Sequence, residues 1–430
     1  MQLWLSCVID MNNRLSRRLL YIFLILFSSV VSIGNLLSGY FGNHPSSIYS
    51  GNISDGWCDP ASQGIGSHCF GDFYYPIATS LWDDPWNSNA NPNPPLTQFI
   101  YKMFSYFSDN GHLGLVIYLL TCLLSVTFPF LYIYKKSSSR PSRVVLMFVL
   151  TLGSAPFLIA FDRGAMVMAL FTPIFMLYVY YKKNEVRKTH FLLVLLVLLK
   201  PQLALLNLIF IKDQKFRELV KAILLQTIAM FLSFLLYFKS FPSSIISYAK
   251  QVLDYQAYVP WGSLYPANLS ASNVFGIPFH FFEIEGKISF LRIAMTFILI
   301  SLLLRQIILA RHRRGDAKTF VVLIFSTVVL PGVSFSYYSL LLILCALIGY
   351  LEYEIDGKSS LRYLFESRYF VIVIFITGST ILIPWPVKAD DLLGEYFSGY
   401  ASANLGANWL IGGSVLTLLY ISMLIGKLRK

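Results

Sequence analysis

The stretch THFLLVLLVLLKPQLALLNLIFIKDQKFR, residues 189–217, decides the fold class. It is apolar through its middle, yet a Lys-Pro pair, Lys200 and Pro201, stands at its centre, and basic residues flank both ends. Proline donates no backbone hydrogen bond and disfavours a helical residue before it, so a helix break is expected there. We predict a re-entrant hairpin of two short helices over about residues 190–211, which returns both basic flanks to one side of a membrane. The irregular apex of such a hairpin must be buried in protein or line a wet cavity.

The whole chain shares this apolar character. Of its 430 residues, 56% are hydrophobic and 13% are charged, and the mean hydropathy is +0.61, which is too apolar for a soluble domain. The sequence therefore predicts one domain, residues 1–430, folded as an all-α polytopic bundle of about ten to twelve transmembrane helices. Apart from the hairpin, the predicted spans lie at about residues 18–38, 112–134, 144–161, 165–181, 220–238, 287–309, 319–335, 337–353, 369–385 and 406–426.

The net charge of +12 comes mainly from Lys and Arg clusters that lie between the apolar segments. Basic loops stay in the cytoplasm, so this pattern indicates a multi-pass topology in the cell membrane and not a nucleic-acid partner. It places both chain termini in the cytoplasm and predicts outer loops at residues 39–111, 239–286 and 386–405. The long first outer loop carries six aspartates and one lysine, Lys102, as expected of a segment on the outer face.

Ionisable residues at or near membrane depth are costly, so each is a functional hypothesis. Asp72, before a run of aromatics, is either a solvated loop acid or a general base held at the membrane surface. Arg163 is either an arginine paired with Asp162 or a binder of phosphate. Lys200 is either part of a buried ion pair or a cation that receives an anionic lipid head group. Together the three suggest a phosphate leaving group beside a base.

Other site chemistries have weak support in the sequence. The six histidines lack ligand spacing, and Asp83 with Asp84 lacks an Asp-x-Asp pattern, so we expect no metal and no cofactor. There is neither a Gly-x-Ser-x-Gly elbow nor a glycine-rich nucleotide loop. Cys58 and Cys69 share the first outer loop; they either form a disulfide that closes a loop of about 12 residues, worth roughly 3 kcal/mol, or remain free thiols.

Six segments, in their order along the chain, resemble the GT-C superfamily of integral membrane glycosyltransferases. Within it the nearest likeness is to glycosyltransferase family 87, the polyprenyl-phosphate-dependent mannosyl- and arabinosyltransferases of envelope biosynthesis. The likeness extends over about residues 18–353, and it rests on order and placement because each motif alone is short. The segments are GDFYYPIATSLWDDPW (71–86), NPNPPLTQFIY (91–101), FDRGAMVMALF (161–171), LLKPQLALLNLIF (198–210), NLSASNVFG (268–276) and LPGVSFSYYSLLLIL (330–344).

The resemblance implies a role for individual residues. It makes Asp72 the general base that deprotonates an acceptor hydroxyl, and it places Arg163 and Lys200 near the lipid phosphate. The chain departs from the family where Asn91 and Asn93 replace tyrosines before Pro94 and Pro95, and where Ser334 or Ser336 stands near a histidine position. Candidate substrate contacts are Tyr74, Tyr75, Asn268, Ser270, Asn273 and Ser334.

The resemblance, together with these residues, implies an inverting hexosyl- or pentosyltransferase. It would move a mannosyl or arabinosyl type residue from a polyprenyl-phosphate donor to a glycolipid or polysaccharide acceptor on the outer face, surrounded by membrane lipids. Aromatic residues of the outer loops would stack on sugar faces or form an interfacial belt, among them Trp82, Trp86, Tyr258, Trp261 and Tyr265. The rival prediction is a transporter or flippase for a lipid-linked saccharide, and a third is a non-catalytic scaffold for envelope assembly.

Overall fold

The computed structural model describes somewhat more than half of the chain, and within this part every regular element is helical. The described residues are 72–73, 85–86, 93–107, 112–136, 141–152, 154–162, 164–258, 270–272, 274–275, 285–310, 317–332, 336–354 and 403–425. The α-helices are α1 Pro95–Ser105, α2 His112–Lys136, α3 Pro141–Leu152, α4 Ala155–Asp162, α5 Phe171–Lys182, α6 Val186–Leu199, α7 Leu208–Lys212, α8 Phe216–Ser233, α9 Ser243–Tyr258, α10 Glu285–Leu309, α11 Ala317–Val329, α12 Leu340–Glu354 and α13 Ala403–Ile425. Shorter 3-10 segments lie at Met166–Met168, Pro201–Asn207, Phe234–Ser240 and Ser336–Ser339.

Three of the described helices are long and apolar enough to cross a membrane. They are Leu113–Lys136 in α2, Phe216–Tyr237, which comprises α8 and its 3-10 extension, and Arg292–Leu309 in α10. Their outward surfaces carry large exposed apolar side chains, such as Leu124 and Phe297. Such surfaces suit lipid, because a hydrocarbon environment does not penalise exposed apolar groups.

The centre of the described bundle is formed by α5, α11 and α12. Ile174, Phe175 and Leu177 of α5 are fully buried, and all of α11 is buried. Helices α2 and α6 pack on α5, while α12 and α13 pack on α11. The helices that expose apolar side chains thus surround a core built from the shorter ones.

The helix is broken at Lys200, where the Lys-Pro pair predicts a break. Helix α6 ends at Leu199, Lys200 has extended backbone (φ −148°, ψ 101°), and Pro201 begins a 3-10 segment, where its missing N–H costs nothing. The chain then reverses: the ring of His190, near the start of α6, lies 5.1 Å from the ring of Phe210 in α7. The structure therefore contains a hairpin with Lys200 and Pro201 at its apex.

The two basic flanks of the hairpin lie together at its open end. Lys215 Nζ donates to Asn184 Oδ1 at 2.6 Å, and the Tyr181 hydroxyl donates to Asp213 Oδ1 at 3.0 Å. Residues before α6 and residues after α7 therefore occupy the same end of the described bundle.

The predicted single span at residues 144–161 is wrong in one respect, because the structure divides it into α3 and α4. Pro156 has no N–H to donate to the carbonyl of Leu152, four residues earlier, which favours a break between Leu152 and Ala155. Ser154 occupies the break, and both its N–H and its hydroxyl donate to the Thr151 carbonyl, at 3.1 and 2.7 Å.

Two positions near the candidate site require glycine, one for a close approach between helices and one for its backbone conformation. A Cβ atom at Gly114 of α2 would lie 2.0 Å from the carbonyl oxygen of Phe104, so only glycine lets α2 approach α1 this closely. Gly164 has φ 62°, and its N–H donates to the Phe161 carbonyl at 3.0 Å, which ends the helical turn after α4. Both positions need a residue without a side chain.

Candidate functional site

Helix α1 lies between Asp72 and Lys200, the two described residues to which the sequence assigns chemistry. Pro95 occupies its first position, where a proline is well tolerated, and Pro94 before it is extended. Thr97 and Tyr101 are both buried and lie four residues apart, so they share one face at a spacing of about 6 Å. This face connects the two halves of the candidate site.

The N-terminal end of α1 holds Lys200. Lys200 Nζ donates to Asn93 Oδ1 at 3.3 Å, and the Thr97 hydroxyl donates to the Leu199 carbonyl at 2.7 Å in a buried position. Carbonyls in the last turn of a helix lack partners within it, so Thr97 satisfies one of them at the end of α6. The apex of the hairpin is thereby fixed against α1, with the Lys200 side chain half-buried.

The C-terminal half of α1 holds the segment that carries Asp72. Phe73 is fully buried, and its ring centroid lies 5.8 Å from that of Tyr101 and 5.0 Å from that of Tyr118. Asp72, the residue before Phe73, is half-buried. The structure therefore places Asp72, next to Phe73, near the C-terminal half of α1, and it places Lys200 near the N-terminal end of the same helix.

Trp86 fixes Asn93 from the other side. Its Nε1–H donates to the backbone carbonyl of Asn93 at 2.9 Å. The indole is 1% exposed, and it packs against Phe234, Tyr237 and Tyr248 with centroid distances of 5.4, 5.1 and 5.6 Å. Its faces are covered by these rings, so the structure places Trp86 in a buried aromatic cluster, where it is not exposed for sugar stacking.

Ser270 joins two of the motif segments. Its hydroxyl is fully buried, lies 3.0 Å from the Ser272 hydroxyl and donates to the Gly332 carbonyl at 3.1 Å. The segments around residues 270 and 332 are therefore joined to each other, and the Ser270 hydroxyl itself bonds to protein.

Several predicted site residues lie outside the described part of the chain. They are Arg163, Tyr74, Tyr75, Asn268, Asn273, Ser334, Cys58 and Cys69. The proposed disulfide and most of the three outer loops also fall there. Among the described residues, no group of three or more His, Cys, Asp or Glu side chains is arranged to hold a metal ion.

A groove of 660 Å³ begins beside the hairpin apex. Val197 and Ala204, on either side of Lys200 in the chain, line it, and so does Phe234 of the aromatic cluster around Trp86. Its lining is mostly apolar side chains of α6, the following 3-10 segment, α7 and α8. The main polar element is the pair Asn207 and Gln226, whose amides exchange two hydrogen bonds at 2.8 and 2.9 Å. This mostly apolar lining suits an apolar chain.

Sequence reasoning missed three residues of this arrangement. Asn93 was noted only as a departure from a family pattern, Thr97 carries no motif signal, and Tyr101 is one aromatic among many. The signal that could have found Thr97 and Tyr101 is their spacing of four residues in a helix that begins at a Pro-Pro pair, next to two residues already singled out.

Comparison of the chain with protein-family models, with curated proteins and with solved structures gives no match. The described structure by itself shows an all-helical protein with three helices that are long and apolar enough to cross a membrane. The likeness to membrane glycosyltransferases rests on the six sequence segments, and the function built on it is a proposal.

Proposed function

We propose that the protein transfers a glycosyl residue from a polyprenyl-phosphate sugar to an acceptor hydroxyl at the outer face of the membrane. The observation that carries the proposal is the arrangement along α1. Phe73, next to Asp72, packs on Tyr101 of this helix, Lys200 bonds to Asn93 just before it, and an apolar groove is lined by Val197 and Ala204 of the hairpin that carries Lys200. A base, an anion site and a place for a lipid chain are the three elements such a transfer requires.

The proposed reaction has one chemical step. The Asp72 carboxylate takes the proton of the acceptor hydroxyl, whose oxygen attacks the anomeric carbon from the face opposite the phosphate. The new C–O bond forms as the bond from the anomeric carbon to the phosphate oxygen breaks, so the configuration inverts. The lipid phosphate leaves with the electron pair, and Lys200 stabilises the negative charge. Arg163 is assigned the same role by the family resemblance.

The groove is the proposed site of the polyprenyl chain. Burying an apolar chain among apolar side chains is favourable, and the phosphate at its end would then lie next to Lys200. Asn93 holds the ammonium group with a neutral amide and leaves its positive charge for the phosphate. The donor is therefore expected to bind by its lipid and phosphate, while the sugar, mannosyl or arabinosyl in type, extends toward Asp72.

The membrane arrangement belongs to the same proposal. We infer ten to twelve spans, with the hairpin re-entrant, its open end in the cytoplasm and its apex inside the protein. The meeting of the two basic flanks supports this, since a single span would separate them. Asp72 and Lys200 would then face the outer side, where a lipid-linked sugar is the available activated donor.

The experiment is a transfer assay with purified protein in proteoliposomes. Synthetic polyprenyl-phosphate donors with labelled mannose or arabinose are offered with a panel of glycolipid and polysaccharide acceptors. We expect transfer by the wild type and a loss of at least about 100-fold in Asp72→Asn, as for removal of a general base. Asp84→Asn, in the same loop, is the control and should retain the wild-type rate.

Two outcomes would overturn the proposal. Equal rates for Asp72→Asn and the wild type would remove the assigned base. No transfer by the wild type across the whole donor panel, together with movement of labelled lipid-linked saccharide between leaflets, would favour the transporter, which needs Lys200 and the groove but no base.

A further inference from the structure

Helix α9 folds back against the end of a membrane-crossing helix. It begins six residues after the span Phe216–Tyr237 ends. Its Tyr248 ring lies 5.6 Å from the ring of Phe234, and Ile245 lines the groove together with Phe231. Because Phe231 and Phe234 belong to the last turns of the span, α9 lies at the depth where that span leaves the hydrocarbon.

The helix presents three distinct faces. Successive residues are about 100° apart around a helix, so positions three, four and seven apart fall on one side. The inward face carries Ser244, Ile245 and Tyr248, which are buried or half-buried against the protein. An adjacent stripe of Ile246, Ala249 and Leu253 is exposed, with Ile246 at 71% and Leu253 at 69%.

The third face is polar and begins next to the apolar stripe. Lys250 is exposed and lies four residues after Ile246 and three before Leu253, so it borders the apolar stripe. Ser243, seven residues before Lys250, is exposed on the same side. A protein-facing side, an apolar stripe and a cationic edge together are typical of a helix that lies in the plane of a membrane surface.

We propose that α9 is an interfacial helix whose partner is the lipid surface. The stripe Ile246, Ala249 and Leu253 is inserted at the boundary between head groups and acyl chains, and Lys250 reaches the lipid phosphates. The depth of α9 selects this occupant over a soluble protein, because a stripe at the level of Phe234 is next to lipid. The inference requires only that Phe216–Tyr237 crosses a membrane, and it is independent of glycosyl transfer.

The lipid contact is connected to the candidate site. Tyr248 on the inward face packs on Trp86, Trp86 donates to the Asn93 carbonyl, and Asn93 accepts from Lys200. Lipid contacts that fix the position of α9 would therefore also fix Tyr248. Tyr248 begins a series of three contacts that ends at Lys200 in the hairpin apex.

The test is the accessibility of spin labels in the full chain reconstituted in lipid nanodiscs. Single cysteines are placed at Ile246→Cys and Leu253→Cys, with Lys250→Cys as the matched exposed control, after the native cysteines are replaced. Spin labels at positions 246 and 253 are expected to be several-fold more accessible to oxygen than to a water-soluble nickel chelate. This corresponds to a position about 5–10 Å below the lipid phosphates. The label at 250 should show the opposite preference.

Two results would overturn the inference. Nickel accessibility at 246 and 253 equal to that at 250 would place α9 in water. Protection of 246 and 253 from both reagents would show that a protein, or a second copy of this chain, covers the stripe. A lipid-soluble diazirine applied to the unmodified protein gives a second measurement free of substitutions: labelling of Ile246 and Leu253 supports the inference, and their absence from the labelled peptides refutes it.

Discussion

The two ends of the hairpin hold their lysines in different ways. At the open end Lys212 is 0% exposed and lies 3.7 Å from the Asp213 carboxylate, while its Nζ donates to the Tyr181 hydroxyl at 3.3 Å. At the apex Lys200 is half-buried and is held by the neutral amide of Asn93. Among the described residues, no carboxylate forms an ion pair with Lys200.

The difference separates a structural cation from one suited to binding. A buried charge must be neutralised, and Lys212 carries its counter-ion in the next residue. An amide oxygen orients an ammonium group without neutralising it. Lys200 therefore keeps a net positive charge that can bind an anion in the groove. A second buried acid at the open end follows the structural pattern: Glu352 accepts from both Lys182 and Tyr178.

The largest expected effect is at the open end. Lys212→Met keeps the volume but leaves Asp213 with Lys215, 4.0 Å away, as the charged partner that the structure shows. We expect the free energy of unfolding to fall by about 3 kcal/mol, as for loss of one partner of a buried pair. Chemical unfolding in detergent measures it, and Lys221→Met, which breaks an exposed pair with Glu218, should cost no more than about 0.5 kcal/mol. Unchanged stability in Lys212→Met would contradict the comparison.

The same substitution at the apex should act on donor binding and transfer. Lys200→Met is expected to reduce transfer by about 100-fold, because the departing phosphate loses its cation. It should weaken the affinity for the donor more than for the acceptor and leave the unfolding transition close to wild type. Lys212→Met is the matched control, with its unfolding shifted and its donor affinity kept. If both substrates were weakened equally, Lys200 would hold the fold and not the phosphate.

A smaller effect is expected one contact away. Thr97→Val removes the hydroxyl that donates to the Leu199 carbonyl and keeps the side-chain shape. Loss of one buried hydrogen bond corresponds to about 1 kcal/mol, or roughly a fivefold to tenfold fall in transfer. Thr121→Val is the control, since its hydroxyl bonds within its own exposed helix turn. Equal rates in the two variants would show that the apex is fixed without Thr97.

The smallest effect is expected at Trp86. Trp86→Phe keeps an aromatic ring in the cluster and removes the Nε1–H that donates to Asn93. We expect about a threefold fall in transfer, within the range for one hydrogen bond. Tyr248→Phe keeps the same ring packing with the bond to Asn93 intact, and it should behave as wild type. A loss in Tyr248→Phe equal to that in Trp86→Phe would show that the fall in transfer does not come from the bond between Trp86 and Asn93.

The hairpin break follows from local chemistry, which is why the sequence predicts it. Pro201 donates no backbone hydrogen bond and disfavours a helical conformation at Lys200, and two basic flanks around one apolar stretch indicate a reversal. The division of 144–161 at Pro156 follows from the same rule, but the apolar run concealed it. Helix ends elsewhere, such as α10 at Leu309, agree with the predicted span at 287–309.

The contacts of the site could not be predicted, because they join remote parts of the chain. Thr97 and Leu199 are 102 residues apart, and Asn93 and Lys200 are 107 apart. Hydrophobic patterning indicates which segments are helical, but the rotation of α1 that directs Thr97 and Tyr101 inward depends on packing against α2 and α6. The sequence identified Asp72 and Lys200 by their unusual surroundings, and the structure supplies α1 as the element between them.

The central claim is that Asp72 acts on the acceptor while Lys200 acts on the donor. The most direct measurement gives the donor Kd and the single-turnover transfer rate in the same preparation, for the wild type and Asp72→Asn. The account predicts an unchanged donor Kd and a transfer rate lower by at least about 100-fold. A donor Kd that weakens in parallel with the rate, or a rate that stays at the wild-type value, would contradict it.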